Sequence, residues 1–179
     1  GDATKLYKLD SGGLTWTNVS RSSGGAYATP STGWWDFTVF GDYVIASNGV
    51  DVLQYFLIGT STNFAALAGS PPVGTFVGVI RDFAITARVS SAKNKMAWSA
   101  INDVTAWTAG TNLSDEQVSP DGGGIMGFVG GEFGIVFQER AIRRMSFEGP
   151  PVVFRFDKIT DVVGCRAERS IAAYDNVAF

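Results

Sequence analysis

The chain has 179 residues, 45% of them hydrophobic and 17% charged, and its 14 Lys and Arg against 17 Asp and Glu leave a net charge of −3. That length and balance fit one globular domain with a charge-poor surface, and exclude both a disordered chain and a global basic footprint for nucleic acid. There is no His, and Cys165 is the single Cys, which excludes Ser-His-Asp and Cys-His catalysis, His-containing zinc sites, an intrachain disulfide and a Cys-only metal site.

Helical spacing of apolar residues is almost absent; the stretch from Asp161 to Ala173 comes nearest to it and contains Gly164. Short runs rich in β-branched and aromatic residues, bounded by Gly, Asn, Asp and Pro, predict strands instead. In chain order these are Trp35 to Phe40, Tyr43 to Ala46, Val52 to Ile58, Thr75 to Ile80, Phe83 to Val89, Lys95 to Ser99, Gly124 to Val129, Phe133 to Gln138, Ala141 to Phe147 and Val152 to Ile159. The last alternates cleanly, with Val152, Phe154 and Phe156 on one face and Val153, Arg155 and Asp157 on the other, as in a half-buried antiparallel strand. The polar stretch from Thr111 to Gly124 reads as a loop. No apolar run reaches the roughly 18 residues of a membrane-spanning helix. The 22 Gly, well above the usual ~7%, suit many tight turns.

One pattern recurs four times: an apolar strand, a short polar turn and a second apolar strand. It runs over Phe37 to Ile45, Phe76 to Ile85, Ile125 to Ile135 and Ala172 to Phe179, with Asp42, Asp82, Glu132 and Asn176 at equivalent turn positions. Spacings of 40, 50 and 44 residues between those positions are those of four-stranded propeller blades. The expected fold is therefore all-β, with propeller-like repeats of antiparallel hairpins; a β-sandwich is the alternative. About three blades are expected, near residues 5–69, 74–115 and 122–160, with a fourth beginning at 168–179. Three blades do not close a ring, so the chain reads as an incomplete part of a larger propeller, or as one whose sheets neighbouring subunits complete.

Several residues stand out as candidates. Trp34 and Trp35 are adjacent, so on a strand they point to opposite faces; one is expected in the core and the other free to anchor a subunit interface or a sugar. Arg140, Arg143 and Arg144 form the densest basic cluster, suited either to blunting an edge strand or to contacting DNA or an acidic partner. On a strand, Arg140 and Arg144 share a face with Ile142, and Arg143 points the other way. Trp98 and Trp107 flank the turn Asn102-Asp103, whose short polar side chains bond their own backbone and tolerate the left-handed region. Both Trp are expected to pack in the core, with Trp107 folding back over the turn. Cys165 is expected to be a small core residue. Carboxylates are scattered, and nothing fixes a facing pair such as glycoside hydrolysis needs. No catalytic, cofactor or metal site emerges, and a non-enzymatic role follows.

The segment Trp98-Ser99-Ala100-Ile101-Asn102-Asp103-Val104-Thr105-Ala106-Trp107 resembles the strand-turn signature of phage tail-nozzle, or head-to-tail hub, proteins of short-tailed phages. Gly131 to Ile142 is similar to the following blade of that family, and Leu6 to Leu9 with Leu14 to Trp16 looks like the strand pair that precedes it. The resemblance covers about 145 residues of a family whose members are much longer. It implies a virion protein in the tail, assembled as a ring of usually six subunits. Such a ring would contact the head-to-tail adaptor and other tail proteins and form a conduit with transient, sequence-independent DNA contacts. The runner-up is a carbohydrate-binding propeller or sandwich with exposed Trp platforms.

Overall fold

The computed structural model describes residues 1–174 and 177–178; the turn expected at Asp175-Asn176, and Phe179, lie outside the described residues. Every regular element in it is a β-strand. A short hairpin comes first, β1 (Tyr7–Leu9) with β2 (Trp16–Asn18). Three four-stranded antiparallel meanders follow. The first holds β3 (Asp36–Phe40), β4 (Tyr43–Ser47), β5 (Gln54–Leu57) and β6 (Ala65–Ala66). The second holds β7 (Gly74–Ile80), β8 (Phe83–Val89), β9 (Ala92–Trp98) and β10 (Asp115–Val118). The third holds β11 (Ile125–Val129), β12 (Gly134–Gln138), β13 (Ile142–Phe147) and β14 (Phe154–Thr160). A second short hairpin, β15 (Ala173–Tyr174) with β16 (Val177–Ala178), comes last.

Each meander runs in sequence order, and its last strand leads to the first strand of the next. First strands lie beside one another, β3 with β7 and β7 with β11. The Val77 N–H donates to the Asp36 carboxylate at 2.8 Å, and Ile80 forms a parallel bridge with Gly131. The arrangement is propeller-like: three four-stranded antiparallel sheets packed in succession, first strand beside first strand.

The tight turns that begin the meanders follow from sequence. Phe40 pairs with Tyr43 across Gly41-Asp42, and Ile80 with Phe83 across Arg81-Asp82. The first turn residue has positive φ in both cases, 55° at Gly41 and 50° at Arg81; Gly adopts this freely, whereas Arg81 is held there at some strain.

The cores lie between the sheets. Alternation along β7, β8 and β9 sends Phe76, Ile80, Phe83, Ile85, Met96 and Trp98 toward the third blade, where they meet Ile125, Val136, Met145 and Phe154. It sends Val77, Ala84 and Ala97 toward the first blade, where they meet Ile45, Leu53 and Leu67. A third cluster packs the β1–β2 hairpin on the far face of the first blade, with Leu6, Val19 and Tyr27 against Ala46, Phe56 and Phe64.

Two expectations are corrected. The expected loop from Thr111 to Gly124 contains β10, which pairs with β9 from Asp115↔Trp98 to Val118↔Lys95. All four of its residues are exposed, so this edge strand carries no apolar alternation. The stretch from Asp161 to Ala172, the one nearest to helical spacing, is irregular. Cys165 is not in the core: it is half-exposed, with Sγ 3.0 Å from the Ala167 carbonyl and 3.3 Å from Ser170 Oγ.

Candidate functional site

The turn that carries the family resemblance is a packing device. Trp98, on β9, is 2% exposed; its Nε1 donates to the Leu113 carbonyl at 2.9 Å, and its ring meets Phe154 edge-on at 5.1 Å. Asn102 has φ 56°, and its N–H donates to the Asp82 carbonyl at 2.8 Å, tying this turn to the β7–β8 turn. Asp103 Oδ1 accepts from the Thr105 hydroxyl at 2.6 Å and the Thr105 N–H at 2.8 Å, and these bonds hold its carboxyl below the usual carboxylate range. Trp107 folds back as expected, with Nε1 donating to the Val104 carbonyl at 2.7 Å and its ring in the core between the first two blades. Both indoles are therefore committed to packing and neither is a platform for a base or sugar.

Trp34 and Trp35 precede β3 instead of lying on a strand, and they differ in exposure, although Trp35 is half-buried and not in the core. Trp35 packs edge-on against Tyr27 at 4.8 Å and donates to the Asp2 carbonyl at 2.9 Å, while Trp34 is 68% exposed. Trp34 stands beside a shallow cleft of about 280 Å³ that also touches Asp2, Thr29, Pro30 and Trp35.

The basic cluster does not act as one surface. Arg143 is buried, so it is withdrawn from any interface or DNA-facing role. Its Nε donates to Gln138 Oε1 at 2.7 Å, and its guanidinium pairs with Asp121, which also takes Lys158 at 2.6 Å. Gln138, itself fully buried, donates to the Asp121 and Gly123 carbonyls. This network anchors the loop before β11 to the third blade. Arg140 lies in the turn before β13 rather than on the strand, and is exposed. Arg144 is exposed too, its guanidinium 4.3 Å from the Phe133 ring centre.

The irregular segment after β14 is the feature the sequence reading missed. Residues 164–171 form a strap across one end of the three first strands. Cys165 N–H donates to the Gln138 carbonyl in the third blade, and Glu168 pairs with Arg88 in the second at 2.8 Å. Arg169 reaches the first blade, 3.3 Å from both Asp36 Oδ1 and the Trp34 carbonyl, with its guanidinium 5.7 Å from the Phe76 ring centre. Ile171 rests on Gly127 of β11. Beneath Arg169 and Ile171 lies a cleft of about 230 Å³ lined by Asp36, Phe76, Val77, Met126 and Phe128. Burial pushes the Asp36 carboxyl up, and the Val77 N–H and Arg169 only partly offset that. Among the described residues, no group of three or more Cys, Asp or Glu side chains is placed to hold a metal ion.

Comparison with protein-family models and with curated proteins finds no match to this chain.

Proposed function

We propose that the chain is a structural, non-catalytic component of a phage tail nozzle or head-to-tail hub, part of an oligomeric conduit for DNA in the virion. The observation that carries this reading is the conversion of the Trp98-to-Trp107 signature into rigid packing, with both indoles buried and the turn bonded to the neighbouring hairpin. A conduit wall needs stiff sheets and weak, sequence-blind contacts with a sliding polyanion. Tight binding would impede passage, and a net charge of −3 is compatible with that. Arg140 and Arg144 are the exposed basic groups offered to DNA or to a tail partner, and Trp34 is an aromatic anchor for a subunit contact. Adaptor and tail proteins are the expected neighbours, and six subunits the expected ring. Negative-stain electron microscopy with native mass spectrometry tests this. Closed rings with an open lumen are expected; particles without a lumen would sink it.

A second reading, a carbohydrate-binding module, draws on Trp34 beside its shallow cleft. Glycan-array binding abolished by Trp34→Ala would favour it over the first.

A further inference from the structure

We propose that the cleft at the strap end of β3, β7 and β11 is a binding site for an arginine side chain, that Arg169 of the strap fills it in cis, and that an arginine-bearing peptide segment of a partner protein takes Arg169's place. The proposal stands apart from the nozzle reading and survives its loss.

The receptor half is built from sheet. The Trp34 carbonyl and the Asp36 carboxylate stand where the chain enters β3. Asp36 pairs with Ser47 of β4, and its Oδ2 accepts the Val77 N–H of β7 at 2.8 Å. That bond leaves Oδ1 for the strap. Phe76 is set in the core between the second and third blades, and the guanidinium lies over its ring. Two acceptors and an aromatic face call for a planar, forked cation. Arg169 meets all three, with Nη1 donating to Asp36 Oδ1 and Nη2 to the Trp34 carbonyl. An ammonium concentrates its charge at one nitrogen, so it does not span both acceptors and lie flat on a ring as well.

The occupant half is built from irregular chain, and it fits loosely. Both donor–acceptor distances are 3.3 Å, whereas charge-assisted bonds close to about 2.7–2.9 Å. The 5.7 Å ring contact is near the roughly 6 Å limit of a cation–aromatic attraction. Arg169 has φ 63°, a left-handed backbone that a residue with a β-carbon holds only under constraint. Burial still raises the Asp36 carboxyl in spite of Arg169, so the negative charge of the site is incompletely matched by its present cation. A peptide arginine with an unconstrained backbone seats more closely and gains where Arg169 is strained. The other polar anchors of the strap, Cys165 on Gln138 and Glu168 on Arg88, bind other blades and need not break when Arg169 leaves. The strap is thus an internal competitor, and it admits only a well-matched basic segment.

The probe is a blocked tripeptide with arginine between two glycines, and its lysine counterpart is the control, both at neutral pH and low salt. The amide chemical shift of Val77 reports occupancy. The Arg169→Ala chain should bind the arginine peptide saturably. Wild type should bind it roughly tenfold more weakly or worse, because its apparent affinity is scaled by the fraction of chains whose strap is open. In wild type the same peptide should speed amide exchange over residues 164–171. Asp36→Asn keeps an acceptor for the Val77 N–H and removes the charge; combined with Arg169→Ala it should abolish binding. Arg169→Lys keeps the charge and the length of the side chain, so it tests the site even if Arg169→Ala folds poorly, and it too should gain affinity for the arginine peptide. An equal response to the lysine peptide, equal affinity of wild type and both Arg169 variants, or no saturable shift at Val77 in either variant would each overturn the proposal.

Discussion

Trp98 and Trp34 have the same side chain and opposite consequences when removed. Trp98→Ala empties a position where the second and third blades meet and orphans the Leu113 carbonyl, so a loss of about 3–5 kcal/mol is expected in urea unfolding. Trp34→Ala, at an exposed site, should stay within about 0.5 kcal/mol in the isolated chain. Two carboxylates give opposite pH signatures. Burial works to raise Asp51, but the Ala28 N–H, Asn48 and Arg21 outweigh it and hold the carboxyl below its ordinary value. The unfolded chain therefore takes up that proton first as pH falls. The stability Asp51 supplies is complete above the ordinary carboxylate value and is lost as pH drops through the depressed one. Asp36 is raised, so the folded chain binds its proton first, and its contribution shrinks as pH rises from the ordinary value through the raised one. Urea midpoints of Asp51→Asn and Asp36→Asn across the carboxylate range should deviate from wild type with opposite slopes; parallel curves would contradict both assignments. Although neither lies on a strand and Trp35 is only half-buried, the difference in exposure between Trp34 and Trp35 was legible in their adjacency. The burial of Arg143 was not, because its partners Gln138 and Asp121 lie 5 and 22 residues away and a run of charges says nothing about which member is satisfied internally.

At the scale of elements, inner strands approach so closely that a missing side chain becomes a packing requirement. A Cβ at Gly78 of β7 would sit 2.7 Å from the Phe128 ring of β11. Gly78→Ala should wedge the second and third blades apart, costing about 1–3 kcal/mol. The check is the thermal midpoint together with near-ultraviolet circular dichroism, and an unshifted midpoint would count against close packing there. Strands with one buried face announced themselves by period-two alternation, and the turns between them by Gly and Asp. The strand β10 did not, because Asp115-Glu116-Gln117-Val118 is exposed throughout and is held by its backbone ladder to β9 and by the 2.7 Å pair of Glu116 with Lys95. Where neither face meets the core, hydrophobic periodicity has nothing to record. The strap failed to register for a related reason: it is fixed by a few scattered contacts to three different blades, a pattern without any period.

For the molecule as a whole, those contacts make the strap a brace whose removal is local. Arg169→Ala severs the link to the first blade and leaves all three sheet-to-sheet cores intact. Amide exchange over residues 164–171 should accelerate roughly tenfold, equivalent to about 1.4 kcal/mol, with the second blade unaffected. Acceleration spreading into β7–β9 would instead make the strap a structural keystone. Raising ionic strength should act in the same direction, since Arg169 and Asp36 are each about one-quarter exposed.

Placing the cores between sheets has a mechanical consequence. A single meander of this chain has no interior; it acquires one only when its neighbour arrives, so a blade is not a unit that folds alone. Order should grow outward from the second blade, which is clad on both sides by four-stranded sheets, and loosening should begin at the flanks. Stiffness in such an arc is conferred by the neighbouring sheet and not by the blade itself, so it is greatest where two sheets meet and least at the flanks.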